Sequence, residues 1–384
     1  MKMKKRESNR DGSSVGRAGH TGAAEASASA TTTYAERFAD RYAPDFYRSI
    51  AAAVVSSIGM GTYLGECTDE DDALYTETIA AAISCGVNVI DTAINYRCQR
   101  SERAVGSAIQ RAVAEGIPRD ALVVCTKGGY LPLSDRAPRS RDEYRAYLKR
   151  EFFNPGILTP DDIIAGGHSI APSFLRYAIA QSRKNLGIGS IDVYYLHNPE
   201  QQLGALTPAS LRERLRAAFM VLEDTAARGE IRAYGCATWN ALRVPPGAKA
   251  HLALEDLLSI AREVAGDRHH FRAVQLPINL AMPEAVRDAT QPLGKKETLV
   301  TALEAGAALG VGVVASASLM QAQLTKDLPE SMRELFPTQH TDAQRAISFV
   351  RSLPGVATAL VGTRCVKHLS ENLESADRAR SLTR

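Results

Sequence analysis

Three apolar, β-rich runs of this 384-residue chain each end on an ionisable side chain. Val87-Asn-Val-Ile-Asp91 ends on a carboxylate, Leu122-Val-Val-Cys-Thr-Lys127 on an ammonium and Ile191-Asp-Val-Tyr-Tyr-Leu-His197 on an imidazole. Burying any of these unpaired is costly, so the economical arrangement is that the three meet. Groups of this kind, held together at one rim, move protons and stabilise negative charge developing on a substrate oxygen.

Other chemistries find less support. A metal-dependent hydrolase needs several convergent His and carboxylate side chains, and only Asp91 and His197 qualify, so no metal centre is expected. The chain has no HExxH, GxSxG or GxxxxGK motif. Gly59-Met-Gly61-Thr-Tyr-Leu-Gly65 approaches the dinucleotide fingerprint, but its third glycine comes one place late. The acidic run Glu66–Asp72 that follows would face a pyrophosphate with like charge, so the glycines read as a turn closing the first strand. Cysteines 67, 85, 98, 125, 236 and 365 form no CxxC pair, which suits reduced thiols in a cytoplasmic protein.

Positioning three strand ends at one rim requires a particular frame. Strand-like runs lie near Val54–Gly61, Val87–Asp91, Leu122–Lys127, Ile191–His197, Ile231–Cys236, Ala273–Pro277, Val311–Ser316 and Thr358–Gly362, alternating with helix-period segments. Thr68 with Asp71 caps one helix, Gly116 closes a second, Pro172 opens and Gly187 closes a third, and Gly229 closes a fourth. Eight strands, each followed by a helix, make a (β/α)8 TIM barrel, whose active sites lie at the C-terminal strand ends.

With 45% hydrophobic and 23% charged residues the chain can bury a large core. Its net charge of +3 comes from residues 1–31, so the body carries no basic surface suited to a nucleic-acid partner. The most apolar stretch, Leu299–Met320, holds Glu304, three glycines and two serines and divides into a helix and a strand, so no membrane partner is expected. Residues 1–48 read as a flexible N-terminal extension, and 49–384 as the barrel.

The sequence resembles the aldo-keto reductase family over about residues 53–375. Asp91-Thr-Ala-Ile-Asn-Tyr96 matches that family's Asp-x4-Tyr element, Ser101-Glu102 and Gly106 its continuation, Thr126-Lys127 its third strand, and Asp192 to His197 its fourth. The resemblance implies a nicotinamide cofactor and a catalytic tetrad of Asp91, Tyr96, Lys127 and His197. Tyr96 would give the proton, Lys127 would favour the phenolate, Asp91 would hold Lys127, and His197, as a neutral donor, would orient a carbonyl. It also implies an NADP(H) site. Thr238 and Gln275 would meet the carboxamide, and Ser316 stands where an aromatic commonly stacks. Gly362, Thr363, Arg364, Lys367, His368, Glu371 and Asn372 align with the segment that holds the adenosine 2′-phosphate. The usual arginine is His368, with Arg364 and Lys367 near enough to replace it.

The interval from Lys127 to His197 is 70 residues, and the surplus lies in 128–171. Ser140-Arg-Asp-Glu143 is a capping box opening a helix with Tyr144, Tyr147, Leu148 and Phe152. Loops after the third and fifth strands both emerge on the catalytic face. The insertion is therefore expected to be a lid, with Tyr130, Tyr144, Tyr147 and Phe152, and Trp239 opposite, lining a substrate pocket. The leading expectation is an NADP(H)-dependent oxidoreductase acting on a small-molecule aldehyde, ketone, sugar or the corresponding alcohol. The alternative is a regulatory or subunit protein that binds the nucleotide with little turnover, for which Ala237 and Ser316 are the observations.

Overall fold

The computed structural model describes residues 25–378. The chain runs through α1 (Ala28–Glu36), β1 (Tyr47–Ile50), β2 (Ala53–Ser56), β3 (Ile58–Gly61), α2 (Asp69–Ser84), β4 (Val89–Asp91), α3 (Arg100–Ala114), β5 (Val123–Gly128), α4 (Arg141–Leu148), α5 (Pro172–Leu186) and β6 (Ile191–His197). It continues through α6 (Pro208–Ala227), β7 (Ile231–Ala237), α7 (Leu254–Ala265), β8 (Phe271–Pro277), α8 (Glu284–Arg287), β9 (Gln291–Leu293) and β10 (Thr298–Val300). It finishes with α9 (Ala302–Leu309), β11 (Gly312–Ser316), α10 (Glu330–Leu335), α11 (Asp342–Ser352), β12 (Val356–Gly362) and α12 (Val366–Glu374).

Strands β3, β4, β5, β6, β7, β8, β11 and β12 close, in that order, into a barrel in which every pair is parallel. This is the expected (β/α)8 barrel. Val89, Val123, Val193, Tyr195 and Val314 point inward, while the outward residues of the same strands pack under the helices. Among the described residues no helix is long and apolar enough to cross a membrane.

Two boundaries differ from expectation. The run Val54–Gly61 is two strands: β2 turns back on β1 as an antiparallel hairpin, and only β3 joins the barrel. Ile50, Ala53 and Val55 of the hairpin pack with the inward residues and plug the barrel's lower end. The other correction concerns residues 25–48, which are ordered rather than flexible; residues 1–24 lie outside the described part. Ser27 caps α1 by accepting from Ala30 N, and Ala26 N donates to Asp192 Oδ1 at 2.6 Å. The physical cause is aromatic: Tyr34, Tyr42 and Phe46 are buried. The hydroxyls of Tyr34, Tyr42 and Tyr47 donate to the Ile83, Cys85 and Gly86 carbonyls at the C-terminal end of α2.

The insertion after β5 also departs from expectation. Ser140 does cap α4, accepting from Glu143 N at 3.1 Å. Its apolar residues, however, build a separate small core: Tyr147, Phe152 and Leu158 pack with Leu131, Ile94, Phe174 and Ala178. Phe152 is fully buried there. Phe152→Ala should therefore cost about 3–5 kcal/mol of stability while leaving substrate KM nearly unchanged. Denaturant titration and steady-state kinetics on the same preparation check both halves.

Candidate active site

Tyr96 sits five residues beyond Asp91, on a turn that the rest of the chain clamps. Arg97, Cys98 and Gln99 all have left-handed backbone, with φ of 46°, 54° and 69°. Such conformations need outside support. Arg97, itself buried, supplies it by donating to Glu66 O at 2.8 Å and to Asp72 at 2.6 Å, which ties the tyrosine turn to the β3–α2 loop. The Cys98 Sγ lies 3.3 Å from Cys67 Sγ on that loop, and all six cysteines are free thiols. Gly65 is needed in the same loop: its φ is +110°, and a Cβ would come within 2.6 Å of Asp71 Oδ2.

The three strand ends do converge. Lys127 Nζ lies 2.5 Å from Asp91 Oδ2 and donates to Thr92 O at 2.8 Å. Gln275 Nε2 donates to the other carboxylate oxygen at 2.8 Å, so both oxygens of Asp91 are engaged. The ammonium is 5.1 Å from the Tyr96 ring centroid, and the Tyr96 ring meets His197 edge-on at 5.8 Å.

Electrostatics follow from that burial. Desolvation works to discharge Lys127, but the Asp91 carboxylate and, after it, Tyr96 together hold the ammonium above its ordinary range. Burial and the Lys127 charge push His197 well below the usual imidazole range, so it is neutral. For Tyr96, burial is the larger effect and Lys127 only opposes it, so the phenol is raised. The expected net lowering of Tyr96 is thus corrected: burial leaves the phenol raised and protonated.

A cavity of about 520 Å3 stands over this cluster at the C-terminal rim of the barrel. Asp91, Tyr96, His197, Thr238, Gln275, Ser316 and Gly362 line it, with Tyr130 and Trp239. Tyr144, Tyr147 and Phe152 do not; this corrects the lid expectation. Tyr144 donates to Gly166 O, and Tyr147 and Phe152 are consumed by the insertion's own core, because aromatic residues at helix spacing bury more area against one another than over an open mouth.

The β12–α12 loop adjoins the cavity at Gly362. Thr363 Oγ1 accepts from Cys365 N at 3.2 Å and turns the chain into α12. Lys367 and His368 are exposed on the first turn, Glu371 is half-buried and Asn372 is buried. Arg364 pairs with Asp71 of α2, so its charge is already met by a carboxylate.

Several lining residues were not anticipated. Tyr63 and Leu64 lie inside the glycine run and are exposed at the rim, and Tyr63 meets the Tyr96 ring at 5.1 Å. Their signal was a large apolar pair just after a strand end. Asn95, Asn198 and Ser318 carried none, because polar residues in loops are common. Among the described residues no cluster of His, Cys, Asp or Glu is suited to hold a metal.

The parallel eight-stranded barrel thus carries a buried lysine–carboxylate pair beneath a tyrosine and a neutral histidine at its C-terminal rim. The chain belongs to the aldo/keto reductase family, whose model matches residues 57–251. It is 32% identical to a D-threo-aldose 1-dehydrogenase of a Pseudomonas species over 43% of this chain and 44% of that one. It is 28% identical to an NADH-specific methylglyoxal reductase of Escherichia coli K12 over 49% of each. The matched stretch spans about half the length of these curated relatives. By fold it is similar to an aldo/keto reductase of Klebsiella pneumoniae solved with NADP and acetate, with a TM-score of 0.56 and 20% identity, covering 87% of this chain and 90% of that one.

Proposed function

We propose that the protein is an NADP(H)-dependent oxidoreductase that reduces the carbonyl of a small aldehyde, ketone or sugar to an alcohol, with Tyr96 as proton donor. The observation that carries this reading is that Tyr96, Asp91 and His197 line the rim cavity with Lys127 buried against them. Names of relatives agree in kind, one being an aldose dehydrogenase and the other a methylglyoxal reductase.

The cavity suits a nicotinamide ring with its carboxamide. Thr238 Oγ1 and Ser318 Oγ are buried, border the cavity and have no hydrogen-bond partner, which is costly unless a ligand's polar atoms meet them. Thr238 and Gln275 would hold the amide. When bound, a nicotinamide nucleotide supplies the hydride.

The chain's own part is proton delivery and orientation. Tyr96 gives its phenolic proton to the substrate oxygen as negative charge builds there. Lys127 offsets the negative charge then left on the phenol oxygen, at the moment when burial alone would most oppose it. Asp91 keeps Lys127 charged and in place. His197, being neutral, offers an N–H to the same substrate oxygen without adding repulsion to Lys127. Tyr63, Tyr130 and Trp239 give the mouth aromatic walls that exclude water from the reacting atoms.

NADPH is proposed over NADH on Lys367 and His368, exposed on the first turn of α12, while Arg364 divides its charge with Asp71. Lys367→Ala with His368→Ala should weaken NADPH by about 1.5 kcal/mol and NADH hardly at all, measured by fluorescence titration. Wild-type protein that binds NADH as tightly as NADPH would show that Asp71 leaves no net positive site for the 2′-phosphate. A coupled NADPH-consumption screen over aldehydes, ketones, quinones and aldoses tests the activity itself. The second reading, a nucleotide-binding subunit, rests on Ala237 and Ser316; single-turnover oxidation of bound NADPH slower than minutes with every carbonyl tried would favour it.

A further inference from the structure

His197 is the last residue of β6, and the chain leaves the ladder immediately after it: Asn198 is left-handed, with φ 48° and ψ 58°. On the β7 side the sheet still helps, through Asn198 N donating to Ala237 O at 2.6 Å. On the β5 side the ladder has stopped, since Gly128 pairs with Leu196 and the insertion begins at Gly129. The His197 carbonyl therefore needs a partner from outside the strands.

That partner is His168, at the far end of the insertion. Bridges from His168 to Tyr130 and Ile164, and Ser169 N donating to Gly129 O at 2.7 Å, bring it back beside the start of the same segment. His168 is fully buried, with Nε2 2.7 Å from His197 O and Nδ1 2.7 Å from Gln202 Nε2. A carbonyl only accepts, so Nε2 carries the hydrogen and Nδ1 accepts from the Gln202 amide. Gln202 Oε1 in turn accepts from Arg214 Nη1 at 2.9 Å, and a guanidinium only donates, so the amide has one possible orientation. The chain of donors runs from Arg214 through Gln202 and His168 to the His197 carbonyl with no ambiguity. Burial pushes His168 down to about 4, which keeps this tautomer neutral at ordinary pH.

Space is equally constrained. A Cβ at Gly129 would lie 2.5 Å from His197 O and 3.0 Å from His168 Nε2, so only glycine lets the two approach. Tyr130 closes the arrangement, edge-on to His168 at 5.0 Å and to His197 at 4.9 Å.

We propose that His168 is a positioning residue: through the His197 carbonyl it holds the His197 imidazole in register with Tyr96, so the insertion acts as a buttress behind the site. This rests on the reading of His197 as a hydrogen-bond donor to a substrate carbonyl. His168→Leu should lower kcat/KM for a small aldehyde on the order of tenfold to a hundredfold while the Kd of NADPH stays the same, and His168→Gln, which keeps a donor, should restore most of it. In a His197→Ala background His168→Leu should cost nothing further. Equal losses in both backgrounds would make His168 merely structural and overturn the proposal.

A readout without turnover separates this from the activity itself. In the full chain labelled with 15N-histidine at pH 7, His168 should be the neutral tautomer protonated at Nε2. The milder Gln202→Leu variant, folded by circular dichroism, should shift the His197 ring signals. The other tautomer, or His197 signals unmoved by Gln202→Leu, would sink the proposal even in an active enzyme. If the wild type reduces no carbonyl compound, the functional reading falls, while these spectra still decide whether His168 sets His197.

Discussion

Tyr96→Phe should lower kcat for carbonyl reduction on the order of 10^2 to 10^4-fold, the usual worth of a positioned general acid, while NADPH affinity stays within experimental error. The substitution removes one oxygen and keeps the ring, so the edge contacts to Tyr63 and His197 survive and the cavity keeps its shape. What is lost is a proton held at the right atom. Because burial raises the phenol despite Lys127 beside it, the acid form persists past the ordinary tyrosine range. The wild-type rate of reduction should then stay level with rising pH until the raised value is reached, and fall beyond it. Stopped-flow single turnovers separate this from product release. Retained turnover in Tyr96→Phe would mean another group gives the proton, with water in the cavity the first suspect.

The legibility of this protein in its sequence divides by physical cause. The barrel strands could be read because each is buried on both faces and so appears as a short apolar run between helix-period segments. The hairpin β1–β2 could not. Its turn residues are Ala51 and Ala52, with φ of 49° and 69°, where the usual signal would be Asn-Gly, so nothing in the letters marks a reversal. Ordering of residues 25–48 was hidden for a related reason: an Ala/Ser/Thr run resembles low complexity, and it is tertiary capping of α2 by three tyrosines that overrides composition.

The site shows the same division. Asp91, Lys127 and His197 were legible because a charge at the end of an apolar run is anomalous and demands a partner. Arg364 illustrates the limit of charge reading. A cation at a helix start suggested an anion, and the structure provides one from the protein itself, the Asp71 carboxylate of a helix 293 residues away in sequence. The insertion's aromatics misled because helix spacing tells which residues share a face but not which neighbour that face meets. His168 was invisible, since its importance lies in one backbone carbonyl.

Lys127→Met should destabilise the fold by about 3–5 kcal/mol, the cost of leaving a buried charge without its counterion, and abolish reduction as well. Lys127 is 1% exposed and Asp91 4%, so water cannot take over as partner. Gln275 would still donate to one oxygen of Asp91, but the other would face a methionine thioether. The variant's simplest escape is to protonate Asp91, so its stability should improve toward acid pH relative to wild type. Adding Asp91→Asn should recover much of the lost stability, because removing both charges together leaves no buried ion, yet activity should stay lost without an ammonium to offset the charge that proton transfer leaves on Tyr96. Urea titrations of the two variants, with NADPH oxidation measured alongside, distinguish the roles. A double variant no more stable than Lys127→Met alone would show that packing of the lysine stem, and not its charge, supports the barrel rim. A single variant as stable as wild type would show that the pair is solvated in the working protein, and the low-dielectric account of Tyr96 would fall with it.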